Sequence, residues 1–297
     1  MRFENHVACD STMRLMCFVF LLTCGQLVAA EPQTIGAHGV SLAYDPAAFT
    51  TVKMRERAAK PAKADYPANV FAVAETFPAH LVIAMRTRYQ HYGGVTVLPA
   101  GGERPERYAK AYPRVAEQIQ ALEQLLKERP KIPKGRSEGG WQAQDLPTLR
   151  FKNAGQTFLS KVECLTFGWG SAVAYLSQYA QDASDWAVGY NLAYEIHGLT
   201  SDGAICVSAE FEVAHRLAPG NEQKRSVEEL TGKNLNDRQY ADYLSRMEGL
   251  LDAQPNESFQ PPLNSIHDLL NGIEFRGAKP GRWDSRFKDR EITLSPK

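Results

Sequence analysis

The chain has 297 residues, of which 43% are hydrophobic and 23% are charged, and its 34 Lys and Arg residues balance its 34 Asp and Glu residues. This composition is typical of a globular protein with enough apolar residues for one large domain or two small ones. The balanced charge argues against nucleic acid and anionic membrane surfaces as partners, because both are attracted by a net positive field.

The first thirty residues have the layout of a secretory signal peptide. Arg14 precedes an apolar run at 15–22, and the small residues Ala29 and Ala30 come directly before Glu31. The apolar run is too short to serve as a stable transmembrane anchor. We therefore expect cleavage after Ala30 and a periplasmic or secreted mature protein without a transmembrane anchor.

Two further interpretations of the leader concern its start and its cysteines. Translation can begin at Met1 or at Met13, since residues 1–12 add only a polar segment. A lipoprotein anchor at Cys24 is disfavoured because Thr23 stands where Gly or Ala is expected. The leader is therefore interpreted as cleaved and not lipidated.

The first part of the mature chain is rich in extended segments. Residues 39–49 alternate apolar and polar positions and end in an Asp-Pro turn, which predicts a strand. Residues 50–58 are predicted as its partner, and an Ala, Lys and Pro loop follows. Pro78 and the Gly93-Gly94 pair separate three more predicted strands, at 69–77, 80–90 and 93–100.

A helix is predicted after these strands. Pro113 suits the first turn, and apolar residues recur at helical spacing until Pro130 ends the pattern. The apolar positions are Val115, Ile119, Leu122 and Leu126. Residues 131–147 form a polar loop that contains Gly and Pro.

From 156 to 213 the chain is typical of a four-stranded antiparallel meander with a turn at 168–170 and another at 201–203. In the last strand, apolar residues alternate with Ser208, Glu210 and Glu212. That alternation predicts a sheet with one packed face and one solvated face.

Two helices and a short strand close the predicted domain. Asn236 or Asp237 can cap the first helix, whose apolar stripe contains Tyr240, Leu244, Met247 and Leu251. The second helix carries Leu263, Ile266 and Leu270, ends near Gly272, and leads into a strand at 273–275. The charged segment 276–297 is predicted to be a flexible tail.

These elements predict one α+β domain over 31–275, in which the meander at about 156–214 packs against the central helix and the two C-terminal helices. The order of elements, with an opening strand and Asp-Pro turn and a closing helix and short strand, resembles PsbP-like α/β sandwiches.

From Tyr89 to Pro219 the sequence resembles a family of uncharacterised exported bacterial proteins. The matching segments are VTVLPA, ALEQLLKERP, NAGQTF, AYLSQYAQD and HGLTSDGAICVSAEFEVAHRLAP. The resemblance implies a fold and an extracytoplasmic compartment. It implies no activity and no catalytic residue.

The mature chain keeps two cysteines, Cys164 and Cys206. An even pair in an oxidising compartment is a candidate disulfide. Members of the family that the chain resembles tend to carry aromatic residues at both positions. The resemblance therefore implies that the two cysteines of this chain form a disulfide with each other. Such a bridge would close a loop of about 40 residues and stabilise the fold by about 3–4 kcal/mol. The alternative is two small buried apolar side chains.

Motifs of catalysis and cofactor binding are sparse. The segment 168–172 lacks the Gly-x-Ser-x-Gly spacing of a serine hydrolase, the histidines do not form a zinc signature, and there is no phosphate-binding Gly loop. No metal or cofactor is therefore predicted. The remaining catalytic candidates are His197, Glu195 two residues before it on the same strand face, and Asp202 in the following turn. The alternative is an ordinary solvated strand face.

Tyrosines are frequent in the meander and are weak candidates for ligand binding. Tyr175 and Tyr179 share one strand face, as do Tyr190 and Tyr194. Aromatic side chains of this kind can line a ligand groove. Cross-strand packing in the core is the favoured alternative.

The leading functional hypothesis is an exported, non-enzymatic α+β domain that binds an envelope protein or a small molecule. One alternative is an envelope hydrolase with a site near His197 and Asp202. Another is a structural component of an envelope assembly, which an exposed apolar patch would favour.

Overall fold

The computed structural model describes residues 31–62, 76–101, 105–128, 146–149, 152, 154–180, 187–189, 192–218, 226–228 and 235–292, which we refer to as the described residues. The predicted leader at 1–30 and most of the predicted strand at 69–77 lie outside them. Within the described residues, no helix combines the length and the apolar character that crossing a membrane requires.

The described residues form an α+β protein with antiparallel sheets, as predicted. The strands are β1 (Gln33–Ala37), β2 (Val40–Tyr44), β3 (Phe49–Arg57), β4 (His80–Thr87), β5 (Tyr92–Pro99), β6 (Gly155–Phe167), β7 (Gly170–Ala180), β8 (Ala193–Thr200), β9 (Ile205–Glu212), β10 (Ile273–Phe275) and β11 (Arg290–Glu291). The helices are α1 (Pro105–Ala111), α2 (Pro113–Glu128), α3 (Asp237–Asp252) and α4 (Leu263–Asn271).

The strands form a large and a small sheet. The large sheet has the order β11-β3-β4-β5-β9-β8-β7-β6, and the small sheet has the order β1-β2-β10. The predicted meander is confirmed as β6 to β9, in which each strand pairs with the next. The expected pairing of β2 with β3 is wrong, since the chain changes sheets at Asp45, whose side chain and carbonyl oxygen accept hydrogen bonds from the next few amides.

Both faces of the meander are covered. The first face carries the inward residues Val207, Ala209 and Phe211 of β9 and packs against apolar residues of α3 and α4. On the second face, Cys206, Leu199, Val173 and Tyr175 pack against the apolar stripe of α2. Its members are Val115, Ile119, Leu122 and Leu125.

The expectation of one packed and one solvated face is therefore wrong at the centre of the sheet. Ser208, predicted to lie on the solvated face, is only 5% exposed. The physical reason is that α2 is amphipathic and must bury its own apolar stripe, and this face of the meander is the surface against which it does so.

The C-terminal helices follow their local sequence signals. Asn236 is the N-cap of α3, because its side chain accepts a hydrogen bond from the amide of Gln239 at 3.0 Å and the Gln239 side chain accepts one from the amide of Asn236 at 3.0 Å. This reciprocal capping box satisfies two backbone donors that the first turn leaves unpaired. The helix α4 ends at Asn271 with Gly272 as its C-cap, and β10 follows directly, as predicted.

The C-terminal segment belongs to the domain, and the prediction of a loose tail from 276 onward needs correction. Trp283 and Phe287 are buried, with ring centroids 5.0 Å apart and stacked planes. The strand β11 pairs with β3, and Arg290 Nη2 donates to the buried carboxylate of Glu56 at 2.8 Å. The described domain therefore extends to residue 292.

The predicted disulfide between Cys164 and Cys206 is absent, which corrects that expectation. Cys164 lies on β6 and Cys206 on β9, with β7 and β8 between them. Three interstrand steps of about 4.8 Å place the two Cα atoms roughly 14 Å apart. A disulfide requires a Cα separation below about 7 Å.

The two thiols are expected to differ in reactivity. Cys164 is exposed, whereas Cys206 is fully buried against α2 and burial raises the pKa of its thiol. A maleimide added to the folded protein should therefore modify Cys164 within minutes and Cys206 only after unfolding, as mapped by peptide mass spectrometry. A peptide pair joined through Cys164 and Cys206 before reduction would contradict the structure.

Candidate functional site

Five polar side chains are buried between the meander and the segment formed by α2 and residues 146–149. We call this set the polar cluster, and it comprises Tyr175, Ser177, Glu195, His197 and Ser208. They share one face because Tyr175 lies opposite Glu195 across β7 and β8, and His197 lies opposite Ser208 across β8 and β9. All five are at most 5% exposed.

Glu195 is the centre of the polar cluster. Its Oε1 accepts a hydrogen bond from Ser177 Oγ at 2.5 Å, and its Oε2 lies 3.4 Å from both Tyr175 Oη and His197 Nε2. Burial alone would raise the pKa of Glu195, but the hydrogen bond and charge of His197, the charge of Lys152 and the Ser177 hydroxyl lower that pKa to about 2. Glu195 is therefore ionised in the folded protein at neutral pH.

His197 links Glu195 to Ser208. Ser208 Oγ lies 3.0 Å from His197 Nδ1, while His197 Nε2 lies 3.1 Å from Tyr175 Oη. With a proton on Nε2, the imidazole donates toward Tyr175 and Glu195 and accepts from Ser208, while Tyr175 donates to the carbonyl of Pro147 at 3.1 Å. The single hydroxyl proton of Tyr175 is then shared between the Pro147 carbonyl and Glu195 Oε2, and each remaining hydrogen bond of the network has one donor and one acceptor.

Two donors at the outer end of the cluster have no acceptor in the part of the chain that the structure describes. A bulge in β6 between Gln156 and Phe158 places Gln156 opposite Tyr179 of β7. Gln156 Nε2 and Tyr179 Oη are both buried and make no hydrogen bond within the described residues. We call these two side chains the donor pair.

Charged side chains surround the donor pair. Lys152 Nζ lies 5.0 Å from the centroid of the Tyr179 ring and donates to Glu210 Oε1 at 2.5 Å. Burial and the nearby charge of Glu195 raise the pKa of Tyr179, so its hydroxyl keeps its proton. The donor pair is therefore neutral and lies near both the ammonium group of Lys152 and the carboxylate of Glu195.

Asp202, the third catalytic candidate, is not part of the polar cluster. It lies in the turn between β8 and β9, where its Oδ1 accepts hydrogen bonds from Thr200 Oγ1 at 2.6 Å and from the amide of Ala204 at 3.0 Å. These contacts stabilise the hairpin turn. The structure thus brings together Glu195 and His197 and leaves Asp202 at the surface.

The candidate tyrosines do not line one groove. Tyr175 and Tyr179 lie on the α2 face, whereas Tyr194 lies on the opposite face. There Tyr194 Oη donates to Glu163 Oε1 at 2.6 Å and lies 2.7 Å from His267 Nε2. Tyr190 lies outside the described residues.

Sequence reasoning missed Ser208, Ser177, Gln156 and Lys152 as members or neighbours of the site. One available signal was the hairpin register, because counting outward from the turn at Asp202-Gly203 pairs His197 with Ser208. No local signal could have found Gln156, whose direction depends on a bulge in β6.

Among the described residues, no three or more His, Cys, Asp or Glu side chains are grouped so that they could hold a metal ion. No protein-family model matches the chain, and no curated protein matches it.

Proposed function

We propose that this protein is exported and acts as a non-enzymatic domain that binds a small polar ligand at the donor pair. The observation that carries the proposal is the burial of Gln156 Nε2 and Tyr179 Oη, which have no acceptor among the described residues. A buried polar group without a partner costs about 1–3 kcal/mol, and a ligand oxygen between the two donors would remove that cost. Export is supported by the leader sequence, with its apolar run and its small residues before Glu31.

The polar cluster suits a supporting role in this site. Glu195 is held by Ser177, Tyr175 and His197 within 2.5–3.4 Å, and it lies close enough to Tyr179 to influence its pKa. A fixed network of this kind positions neighbouring side chains before a ligand arrives, which lowers the entropic cost of binding.

A hydrolase is the second candidate, and one observation favours it. Hydroxyl, imidazole and carboxylate follow one another from Ser208 through His197 to Glu195, at 3.0 and 3.4 Å. This is the order of groups that activates a nucleophilic serine.

The surroundings of Ser208 argue against acyl transfer. Ser208 is buried in the middle of β9, and β9 is paired on both sides, with β5 and β8. The neighbouring backbone amides therefore take part in the sheet ladders, whereas an oxyanion requires two or more donors directed at an open position. Binding accounts better for this geometry than hydrolysis does.

The test is to express the full chain in a bacterial host and to recover the protein from the envelope fraction. We expect the N-terminus to be Glu31 and native mass spectrometry to show a bound species on the wild-type protein. The double variant Gln156→Leu, Tyr179→Phe should lose that species, while Tyr92→Phe, which changes an exposed tyrosine on β5, should retain it.

A fluorophosphonate probe applied to the same preparation separates the two candidates. The binding proposal predicts that Ser208 stays unmodified. Covalent labelling at Ser208 that His197→Ala abolishes would instead establish a nucleophilic serine and reject a non-enzymatic role.

A further inference from the structure

The groups without partners at the donor pair are all hydrogen-bond donors. Gln156 offers an amide N–H and Tyr179 a phenolic O–H that stays protonated, as burial and Glu195 raise its pKa. The two residues lie directly opposite each other on adjacent strands, so their side chains leave the sheet side by side. A ligand group that accepts from both donors must present acceptor oxygens.

Two cations lie near the donor pair. Lys152 places an ammonium group 5.0 Å from the centroid of the Tyr179 ring, and Arg114 is close enough to Tyr179 to interact with it electrostatically. The two nearest carboxylates already have partners, since Glu195 is bound by Ser177 and His197, and Glu210 is bound by Lys152. An additional negative group therefore gains an attraction to both cations, against a repulsion from the ionised Glu195, whose charge reaches Tyr179.

The position of the donor pair suits a ligand that enters from the surface. Gln156 and Tyr179 are half-buried as residues although their donor atoms are covered, and the Lys152 side chain is 21% exposed. Deeper in the molecule, Tyr175 and Glu195 are fully enclosed and hydrogen-bonded to each other and to their neighbours. The ligand group is therefore expected to stop at the donor pair.

We infer that the ligand presents a carboxylate, whose oxygens accept hydrogen bonds from Gln156 Nε2 and Tyr179 Oη beside the ammonium of Lys152. This inference rests on the proposed binding function and specifies the ligand class. A planar carboxylate has two oxygens that can accept from two parallel donors, and hydrogen bonds to a charged acceptor are stronger than those to a neutral one.

The test follows the side-chain amide of Gln156 by ¹H–¹⁵N NMR on the full-length protein. The resonance is assigned by its loss in Gln156→Leu, and the protein is titrated with acetate, acetamide or inorganic phosphate at constant ionic strength. We expect a saturable shift of the Gln156 amide with acetate. The amide of Gln178 is an internal control, because its side chain already donates to the Ala187 carbonyl and accepts from the Gly189 amide on the opposite face.

The variant Tyr179→Phe should weaken acetate binding about tenfold, because it removes one hydrogen bond to a charged acceptor. The control Tyr92→Phe should leave the affinity unchanged. A response to acetamide without acetate, or a stronger response to phosphate, would overturn the carboxylate assignment and leave a binding site at the donor pair. Absence of any response would also overturn the carboxylate assignment. The proposed binding function fails only if native mass spectrometry also shows no retained ligand.

Discussion

Substitution of Glu195 by alanine is expected to lower the free energy of unfolding by about 3–5 kcal/mol. Glu195 is 2% exposed and accepts hydrogen bonds from Ser177, Tyr175 and His197. Its removal leaves the buried Ser177 hydroxyl and the Nε2–H of His197 without their carboxylate acceptor. Urea denaturation followed by tryptophan fluorescence measures the change.

Two further variants show whether this loss comes from the polar cluster. Glu123→Ala removes an exposed carboxylate from α2 and should change the stability by no more than about 0.5 kcal/mol. Ser177→Ala removes one hydrogen bond of Glu195 and should have an intermediate effect. A loss below about 1 kcal/mol for Glu195→Ala would mean that the cluster is solvated and that α2 does not close over it.

The variant Trp283→Ala is expected to destabilise the protein by about 3–5 kcal/mol, the usual range for a buried aromatic residue. Trp283 is 2% exposed, stacks on Phe287 and belongs to the main hydrophobic core. Thermal and urea unfolding of the variant measure the loss.

The matched control is Tyr92→Ala, since Tyr92 is 54% exposed and should contribute less than about 1 kcal/mol. If Trp283→Ala unfolds like the wild-type protein, the segment after β10 contributes nothing to the core and the domain ends near residue 275. The expected result places this segment in the folding unit.

Glu195→Ala and Trp283→Ala are expected to differ in their effect on ligand binding. Glu195 of the polar cluster lies near Tyr179 of the donor pair. Glu195→Ala should therefore weaken ligand binding as well as reduce stability. The C-terminal segment is joined to β3 at the opposite edge of the large sheet from β6, which carries Gln156. Trp283→Ala should therefore reduce stability without a matching loss of affinity at temperatures where the variant remains folded.

Elements with a strong local signal were predictable from the sequence. The helix α2 begins at Pro113 and carries its apolar residues at helical spacing, and α3 begins after the capping residue Asn236. The hairpin of β8 and β9 follows from apolar alternation around Asp202-Gly203. In each case the determinants lie within a few residues of one another, so propensity, capping and turn chemistry suffice.

The candidate site was predictable only in part. The spacing of Glu195 and His197 placed both residues on one strand face, and the structure joins them. Their burial could not be inferred, because alternation within a strand shows which residues share a face and not what covers that face. The donor pair also depends on a bulge in β6 and on the pairing of β6 with β7.

By itself, the sequence determined the α+β class, the meander, the starts of α2 and α3, the end of α4, and the placement of His197 and Glu195 on one strand face, whereas it gave no signal for α1. Only the tertiary structure decided that α2 covers this face, that Cys164 and Cys206 lie three strands apart, and that Trp283 returns to the core. The physical reason is the separation along the chain of the residues that interact. Helix periodicity and turns are set by neighbouring residues, whereas burial and strand order depend on contacts between segments far apart in the chain.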